Sequence, residues 1–140
     1  QLPLPEMQAL AEKSFPVLPA PILANGGLLH GYAAVTIAKE RYGITDPALL
    51  GAVAHHTTGA EQMSTLEKII FLADYIEVNR DFDGVDDLRQ AARRDLDEAV
   101  LLGYDSTIRH LLDQGKPIFV GTVVNRNAQI DVVRAADGKA

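Results

Sequence analysis

Residues 55–80 read HHTTGAEQMSTLEKIIFLADYIEVNR, and this stretch contains most of the candidate functional residues of the chain. It opens with a histidine pair before a Thr-Thr-Gly turn and continues into a helical pattern that contains Asp74. Ser64 and Glu67 have the spacing of a capping box, in which each side chain accepts the other residue's backbone N–H at a helix start. Ionisable groups thus lie among apolar residues, as expected of an active site.

The helix that follows the capping box places Asp74 on or beside an apolar face. Apolar residues recur there with helical spacing, and we expect four of them to point inward: Leu66, Ile69, Ile70 and Ala73. Burying an unpaired carboxylate costs about 2–5 kcal/mol, a cost that a metal ion or a cationic partner would remove. We therefore expect a positive charge near Asp74.

Two earlier helices each carry a histidine on the apolar side. Residues 30–42 predict a helix that ends at Gly43, with His30 on its apolar face. The Thr-Asp-Pro sequence at 45–47 predicts the start of a second helix, whose apolar stripe includes His56. Together with Asp74, these histidines form a set of metal-capable side chains typical of helical metallohydrolases. Hydrogen-bonded core histidines are the alternative interpretation.

The remaining segments predict more helices and almost no sheet. Residues 5–14 form one helical pattern, Asp86 can cap another, and residues 95–114 form the longest. Residues 118–124 are rich in β-branched side chains and predict a short strand or an extended C-terminal arm. Residues from about 128 to 140 predict a flexible tail. We expect an all-α fold with a single domain over residues 1–140.

Composition excludes several functional classes. A net charge of −6 argues against a general nucleic-acid-binding surface, because phosphate contacts need clustered Lys and Arg. The absence of cysteine leaves His, Asp and Glu as metal ligands. No apolar run approaches the roughly 20 residues that span a bilayer, and no signal-like segment is present. We predict a soluble, cytoplasmic protein with no membrane or nucleic-acid partner.

Side chains suited to a phosphate-containing ligand follow the second histidine helix and the Asp74 helix. Hydroxyls and a glycine backbone follow the histidine pair, although an ordinary helix-stop turn is the alternative. The planar guanidinium of Arg80 can bind phosphate through two hydrogen bonds. The alternative is that Arg80 forms a surface ion pair, which would contribute only about 0.2–0.5 kcal/mol to stability. The candidate substrate-binding residues are His55, Thr57, Thr58, Gly59 and Arg80.

The segments LLHG at 28–31, HTTG at 56–59 and FLADYIE at 71–77 occur in an order that resembles the YqeK family of HD-domain metallohydrolases. These enzymes cleave diadenosine tetraphosphate symmetrically into two ADP, and the similarity extends over residues 28–127. The resemblance implies an HD-domain helical bundle with His30, His56 and Asp74 as metal ligands. It also implies a two-metal site, with iron favoured and Mn or Mg as alternatives, a nucleotide substrate and a homodimer.

The chain departs from that family at the His-Asp pair. No His-Asp dipeptide occurs in the sequence, and the family's first ligand histidine, His-Asp pair and following lysine precede the segment that resembles residues 1–20. We therefore expect an HD-type bundle that is incomplete at its N-terminus, as a fragment, a natural truncation or a partner-completed chain, and we assign no catalytic residue. Unless another segment or chain supplies the missing ligands, we expect catalysis to be severely reduced or absent. The alternative is a degenerate HD-like module that binds a nucleotide or a protein without catalysis.

Overall fold

The computed structural model of the chain describes residues 2–76, 84–136 and 138, apart from the side chain of Asp74. Within these residues the chain is helical and contains no strand. We number its helices α1 (Leu4–Ser14), α2 (Ala20–Leu23), α3 (Gly26–Tyr42), α4 (Pro47–His55), α5 (Thr65–Ile76), α6 (Val85–Arg94), α7 (Leu96–Asp113) and α8 (Val120–Ala136). In the described part of the chain, none of them is long and apolar enough to cross a membrane.

The chain forms two compact units, Gln1–Thr58 and Gly59–Ala140. In the first unit, α3 packs against α1, α2 and α4. In the second unit, α7 packs against α5, α6 and α8. Each unit is therefore built around one long helix. The all-α prediction is confirmed, while a single domain over residues 1–140 stays a prediction.

Several helix boundaries follow the capping signals in the sequence. The Asp46 carboxylate accepts the backbone N–H of Ala48 at 2.9 Å, which fixes the start of α4. The capping box before α5 forms in both directions: the Glu67 N–H donates to Ser64 Oγ at 3.1 Å, and the Ser64 N–H donates to Glu67 Oε1 at 3.3 Å. Gly43, with φ of 64°, ends α3.

The start of α6 differs from the prediction, whereas that of α7 agrees with it. Gly84 precedes α6 with φ of 89°, so Asp86 lies in the first turn and the prediction of Asp86 as the cap is wrong. An aspartate in the first turn still interacts favourably with the helix dipole. Asp95 caps α7, because its carboxylate accepts the N–H groups of Asp97 and Glu98 at 3.0 and 3.2 Å.

Helix α5 buries a different face from the one predicted. Phe71 and Leu72 are each 1% exposed, whereas Ile69 is 50% and Ile70 is 39% exposed. Apolar side chains occur on both sides of this helix, so helical spacing could not select the buried face. The second unit buries the large Phe71 ring, whose centroid lies 4.8 Å from that of Tyr104.

The C-terminal segment is helical, so the predictions of an extended arm and of a flexible tail from residue 128 are wrong for residues 120–136. Thr122 and Gln129 of α8 are buried. The Gln129 amide donates to the Asp97 carbonyl of α7 at 2.8 Å. β-branched residues disfavour a helix by less than about 1 kcal/mol each, and packing against α7 outweighs that preference.

Tyr104 of α7 lies in the core of the second unit. Its side chain is 1% exposed, and its hydroxyl donates to the carbonyl of Ala60 at 3.3 Å. Removing the phenol from water disfavours its charged form, and Tyr75 adds to the effect, so burial raises the pKa of Tyr104 to about 12.

We expect the protein to lose stability above pH 10. In the unfolded chain Tyr104 ionises at its ordinary pKa of 10.0, before the folded pKa of about 12 is reached. Its contribution is therefore fully present below pH 10 and lost as the pH rises towards 12. Urea unfolding between pH 9 and 12 measures this loss. Tyr104→Phe should reduce the pH dependence, whereas Tyr42→Phe, at an exposed site, should not; equal pH dependence in both variants contradicts the prediction.

Candidate metal centre

The packing of α3 against α4 brings His30 and His56 together in the first unit. His30 lies within α3, and His56 is the C-cap residue of α4. Their Nε2 atoms are 2.9 Å apart, and the two rings meet edge to face with centroids 4.8 Å apart. Both side chains are half-buried. The sequence placed each histidine on the apolar side of its own helix, and in the structure the two side chains meet.

The backbone determines which nitrogen of His56 carries a proton. The last carbonyl groups of a helix lack a partner within the helix, and that of Val53 lies 2.7 Å from Nδ1 of His56. Because a carbonyl can only accept, Nδ1 is the donor, and Nε2 of the neutral ring keeps its lone pair. Metal-bound histidines are commonly oriented in the same way by a second hydrogen bond. Nε2 of His56 is therefore the atom available to a metal ion.

His30 supplies the proton that the two rings share. Since His56 Nε2 accepts, the 2.9 Å contact places the hydrogen on Nε2 of His30, and the Thr57 hydroxyl lies 3.2 Å from that same nitrogen. A metal ion would take the place of this proton. Adjacent ligands bonded at about 2.1 Å to one octahedral ion would be about 3 Å apart. The separation of the two nitrogens therefore matches that of two neighbouring ligands of one divalent metal ion.

The third predicted ligand, Asp74, lies on α5 in the second unit, and its side chain is outside the described part of the chain. Among the side chains that the structure does describe, no group of three or more His, Asp or Glu is placed to hold a metal ion. The observed donor set is thus the histidine pair, and the role of Asp74 as a ligand stays a prediction.

The residues around the histidine pair are held in part by Tyr32 of α3, which the sequence analysis missed. The Tyr32 hydroxyl lies 3.2 Å from that of Thr58, which is only 3% exposed. The Tyr32 ring also meets the His55 ring edge to face, with centroids 6.4 Å apart. The sequence offers no signal for this contact, because residues two apart in a helix, such as His30 and Tyr32, do not face the same side. The substrate-binding roles of His55, Thr57 and Thr58 stay predictions.

Gly59 begins the second unit and adopts φ of +69°. A Cβ atom at this position would overlap the Tyr104 hydroxyl oxygen, so the glycine backbone packs directly against that side chain. The structure thus gives Gly59 a packing role, and its predicted substrate contact stays a prediction. Arg80 lies outside the described residues.

Gly31 is a second feature that the sequence analysis missed. A Cβ atom on it would lie 2.8 Å from the carbonyl oxygen of Ala54 and 3.0 Å from that of Val53. Only glycine allows α3 to approach α4 this closely without moving it. A glycine inside a helix costs about 1 kcal/mol of stability relative to alanine. A glycine within a helical sequence pattern is therefore a signal that another part of the backbone lies close to it.

Three curated proteins named symmetrical bis(5'-nucleosyl)-tetraphosphatase are similar to this chain. The protein from Halalkalibacterium halodurans is 45% identical over 100 residues, which are 71% of this chain and 54% of that protein. The protein from Bacillus subtilis is 36% identical over 79% of this chain and 60% of its own length. The protein from Staphylococcus aureus is 38% identical over 69% of this chain and 50% of its own length. The chain thus spans about half the length of these relatives.

A solved structure from Clostridium acetobutylicum has the same fold. It is described as a predicted HD superfamily hydrolase involved in NAD metabolism, and its TM-score to this chain is 0.86 at 42% sequence identity. The match covers 93% of this chain and 69% of that one. No family model matches the chain.

Proposed function

Because the chain belongs to the YqeK family of HD-domain hydrolases, we propose that it acts as a metal-dependent phosphohydrolase on diadenosine tetraphosphate. The reaction breaks the central P–O–P bond: the oxygen of one water molecule bonds to one of the two inner phosphorus atoms, the bridging oxygen leaves with the other, and two ADP trianions and two protons result. The resemblance and the HD-type helical fold inferred from the sequence are both confirmed by the relatives and the solved structure.

One observation carries the proposal, namely the two Nε2 atoms of His30 and His56 at 2.9 Å. These atoms would hold a divalent ion, while the Val53 carbonyl keeps the His56 ring in the orientation that exposes its lone pair. The bound ion would polarise phosphate oxygens and offset charge on the leaving ADP. Following the family resemblance, we propose Asp74 as a further ligand and a two-metal site, with iron favoured over Mn or Mg.

The proposed substrate contacts involve the residues after the histidine pair and the guanidinium of Arg80. Thr57 is half-buried beside His30 and would offer its hydroxyl to a phosphate oxygen. Thr58 would contribute its backbone, because its hydroxyl is buried with that of Tyr32. Gly59 and His55 complete the proposed set, and Arg80 would bind phosphate through paired hydrogen bonds. The cytoplasmic location and the homodimer stay predictions.

Metal analysis combined with a hydrolysis assay tests this function. We expect the 140-residue chain loaded with Fe²⁺ or Mn²⁺ to release ADP from diadenosine tetraphosphate, without ATP or AMP, but far more slowly than a complete enzyme, because its sequence lacks the family's His-Asp pair. The full-length Halalkalibacterium halodurans relative is the positive control. If the chain binds metal but releases no ADP, it is not a hydrolase by itself. If it binds no metal, the assignment of the histidine pair is wrong.

A second function is favoured by the sequence, which lacks a His-Asp dipeptide. The described side chains contribute the two neighbouring histidine nitrogens. A module that binds a nucleotide or protein, or that another chain completes, does not need a complete set of metal ligands of its own. Nucleotide binding that is unchanged in His30→Ala and His56→Ala, with no ADP release by any variant, would favour this function over hydrolysis.

A further inference from the structure

Gly31 is placed to control the position of the His56 ring. The glycine lies on α3 directly after His30, at the point where α3 faces the last turn of α4. We propose that Gly31 is a positioning residue of the metal centre. Because it lets α3 lie close to the end of α4, it keeps the His56 ring in place opposite the His30 ring. This inference rests on the proposed metal-binding function and assigns a new role within it.

The connection runs through the carbonyl of Val53. This oxygen accepts the His56 Nδ1 proton at 2.7 Å, and it also lies 3.0 Å from where a Cβ of residue 31 would be. The Ala54 carbonyl oxygen would be closer still, at 2.8 Å. Real Cβ atoms rarely approach backbone oxygen this closely, so a methyl group would displace the last turn of α4. The acceptor that orients His56 would move with it.

The imidazole itself is also affected. His56 Cε1 lies 3.3 Å from the same hypothetical Cβ, so a methyl group would press on the ring as well as on its acceptor. His30 belongs to α3 and would stay with that helix, while His56 belongs to the end of α4. A methyl group at residue 31 would therefore change the separation and angle of the two Nε2 atoms.

The test compares Gly31→Ala with Gly27→Ala in the 140-residue chain. Both changes add one methyl group to α3, but at Gly27 the Cβ would meet only the Asn25 side-chain oxygen, at 3.2 Å. We expect Gly31→Ala to weaken Mn²⁺ binding by about 10- to 100-fold, as changes to residues that orient metal ligands typically do. Gly27→Ala should bind Mn²⁺ like the unchanged chain. Isothermal titration calorimetry measures both.

A second measurement uses the metal-free protein. Nitrogen-15 spectra of the imidazole rings should show His56 protonated on Nδ1 in the unchanged chain and in Gly27→Ala, and a mixture of tautomers in Gly31→Ala. Equal Mn²⁺ affinity and equal spectra in all three proteins overturn the positioning role. A Gly31→Ala chain that does not fold overturns it too, since the glycine would then serve packing in general.

The two readouts separate this inference from the proposed function. If the unchanged chain binds no Mn²⁺, the proposed function fails, yet the tautomer of His56 still reports whether Gly31 positions the ring. If all three proteins bind Mn²⁺ equally well, the positioning role fails and the metal centre stands.

Discussion

Replacing His56 with alanine is expected to weaken Mn²⁺ binding by about 100-fold or more and to abolish ADP release with it. The variant removes one of the two nitrogens that converge at 2.9 Å, and a single remaining imidazole is a weak ligand in water. Changing only an orienting partner of a ligand already costs about 10- to 100-fold in affinity, and removing the ligand should cost more. Calorimetry with Mn²⁺ and the nucleotide assay measure both losses.

We expect His56→Ala to remain folded, so that a loss of Mn²⁺ affinity reports on the metal centre and not on unfolding. His56→Ala removes the hydrogen bond to the Val53 carbonyl, and a typical hydrogen bond contributes about 0.5–1.5 kcal/mol to stability. His30→Ala should give a similar loss of affinity, and the double variant should lose little more than either one, because the two residues act as a unit. Additive losses from independent sites would contradict a shared ion.

His110→Ala is the matched control for the histidine variants. His110 lies in the last turn of α7 and is exposed, so its replacement removes an imidazole without changing the candidate centre. Affinity for Mn²⁺ and ADP release should be unchanged. Equal losses in His110→Ala and His56→Ala would show that metal binds histidines non-specifically, and the candidate centre would then be wrong.

Three helix boundaries were predicted correctly because their causes are local. The aspartate before α4, the capping box before α5 and the glycine after α3 each act within four residues of the boundary that they set. The buried face of α5 was predicted wrongly, since apolar residues lie on both sides of that helix and tertiary packing selects the side, where Phe71 and Leu72 join a core that includes Tyr104. Helix α8 was missed for the same reason, because its stability depends on α7.

In the candidate site, too, local patterns could be predicted from the sequence, whereas contacts between helices could not. Helical spacing placed His30 and His56 on apolar faces, and the structure brings these two side chains together. The Val53 carbonyl and Gly31 were not predicted, since their roles depend on how closely α3 approaches α4. Residue type alone does not encode that distance. A backbone acceptor in particular carries no mark in the sequence, because every residue has a carbonyl group.

Replacing Gly59 with alanine is expected to destabilise the protein by about 2–5 kcal/mol, a large part of the 5–15 kcal/mol that a typical domain possesses. Two costs combine. An alanine at a backbone φ of +69° is strained by about 1–2 kcal/mol, and the new methyl group would overlap the Tyr104 hydroxyl oxygen. Overpacking of this kind adds about 1–3 kcal/mol. Urea unfolding followed by circular dichroism measures the change.

Two further variants separate strain from overlap. Gly43→Ala has a similar φ of +64° with nothing within 4 Å of the new Cβ, so it should cost only the backbone strain. Tyr104→Phe removes the hydroxyl, and in combination with Gly59→Ala it should recover about 1 kcal/mol relative to the sum of the single changes, because neighbouring residues are coupled. The recovery should be partial, since a ring carbon of Tyr104 would still lie 2.7 Å from the methyl group. Equal costs at Gly43 and Gly59, with no coupling to Tyr104, would mean that backbone strain alone requires glycine there.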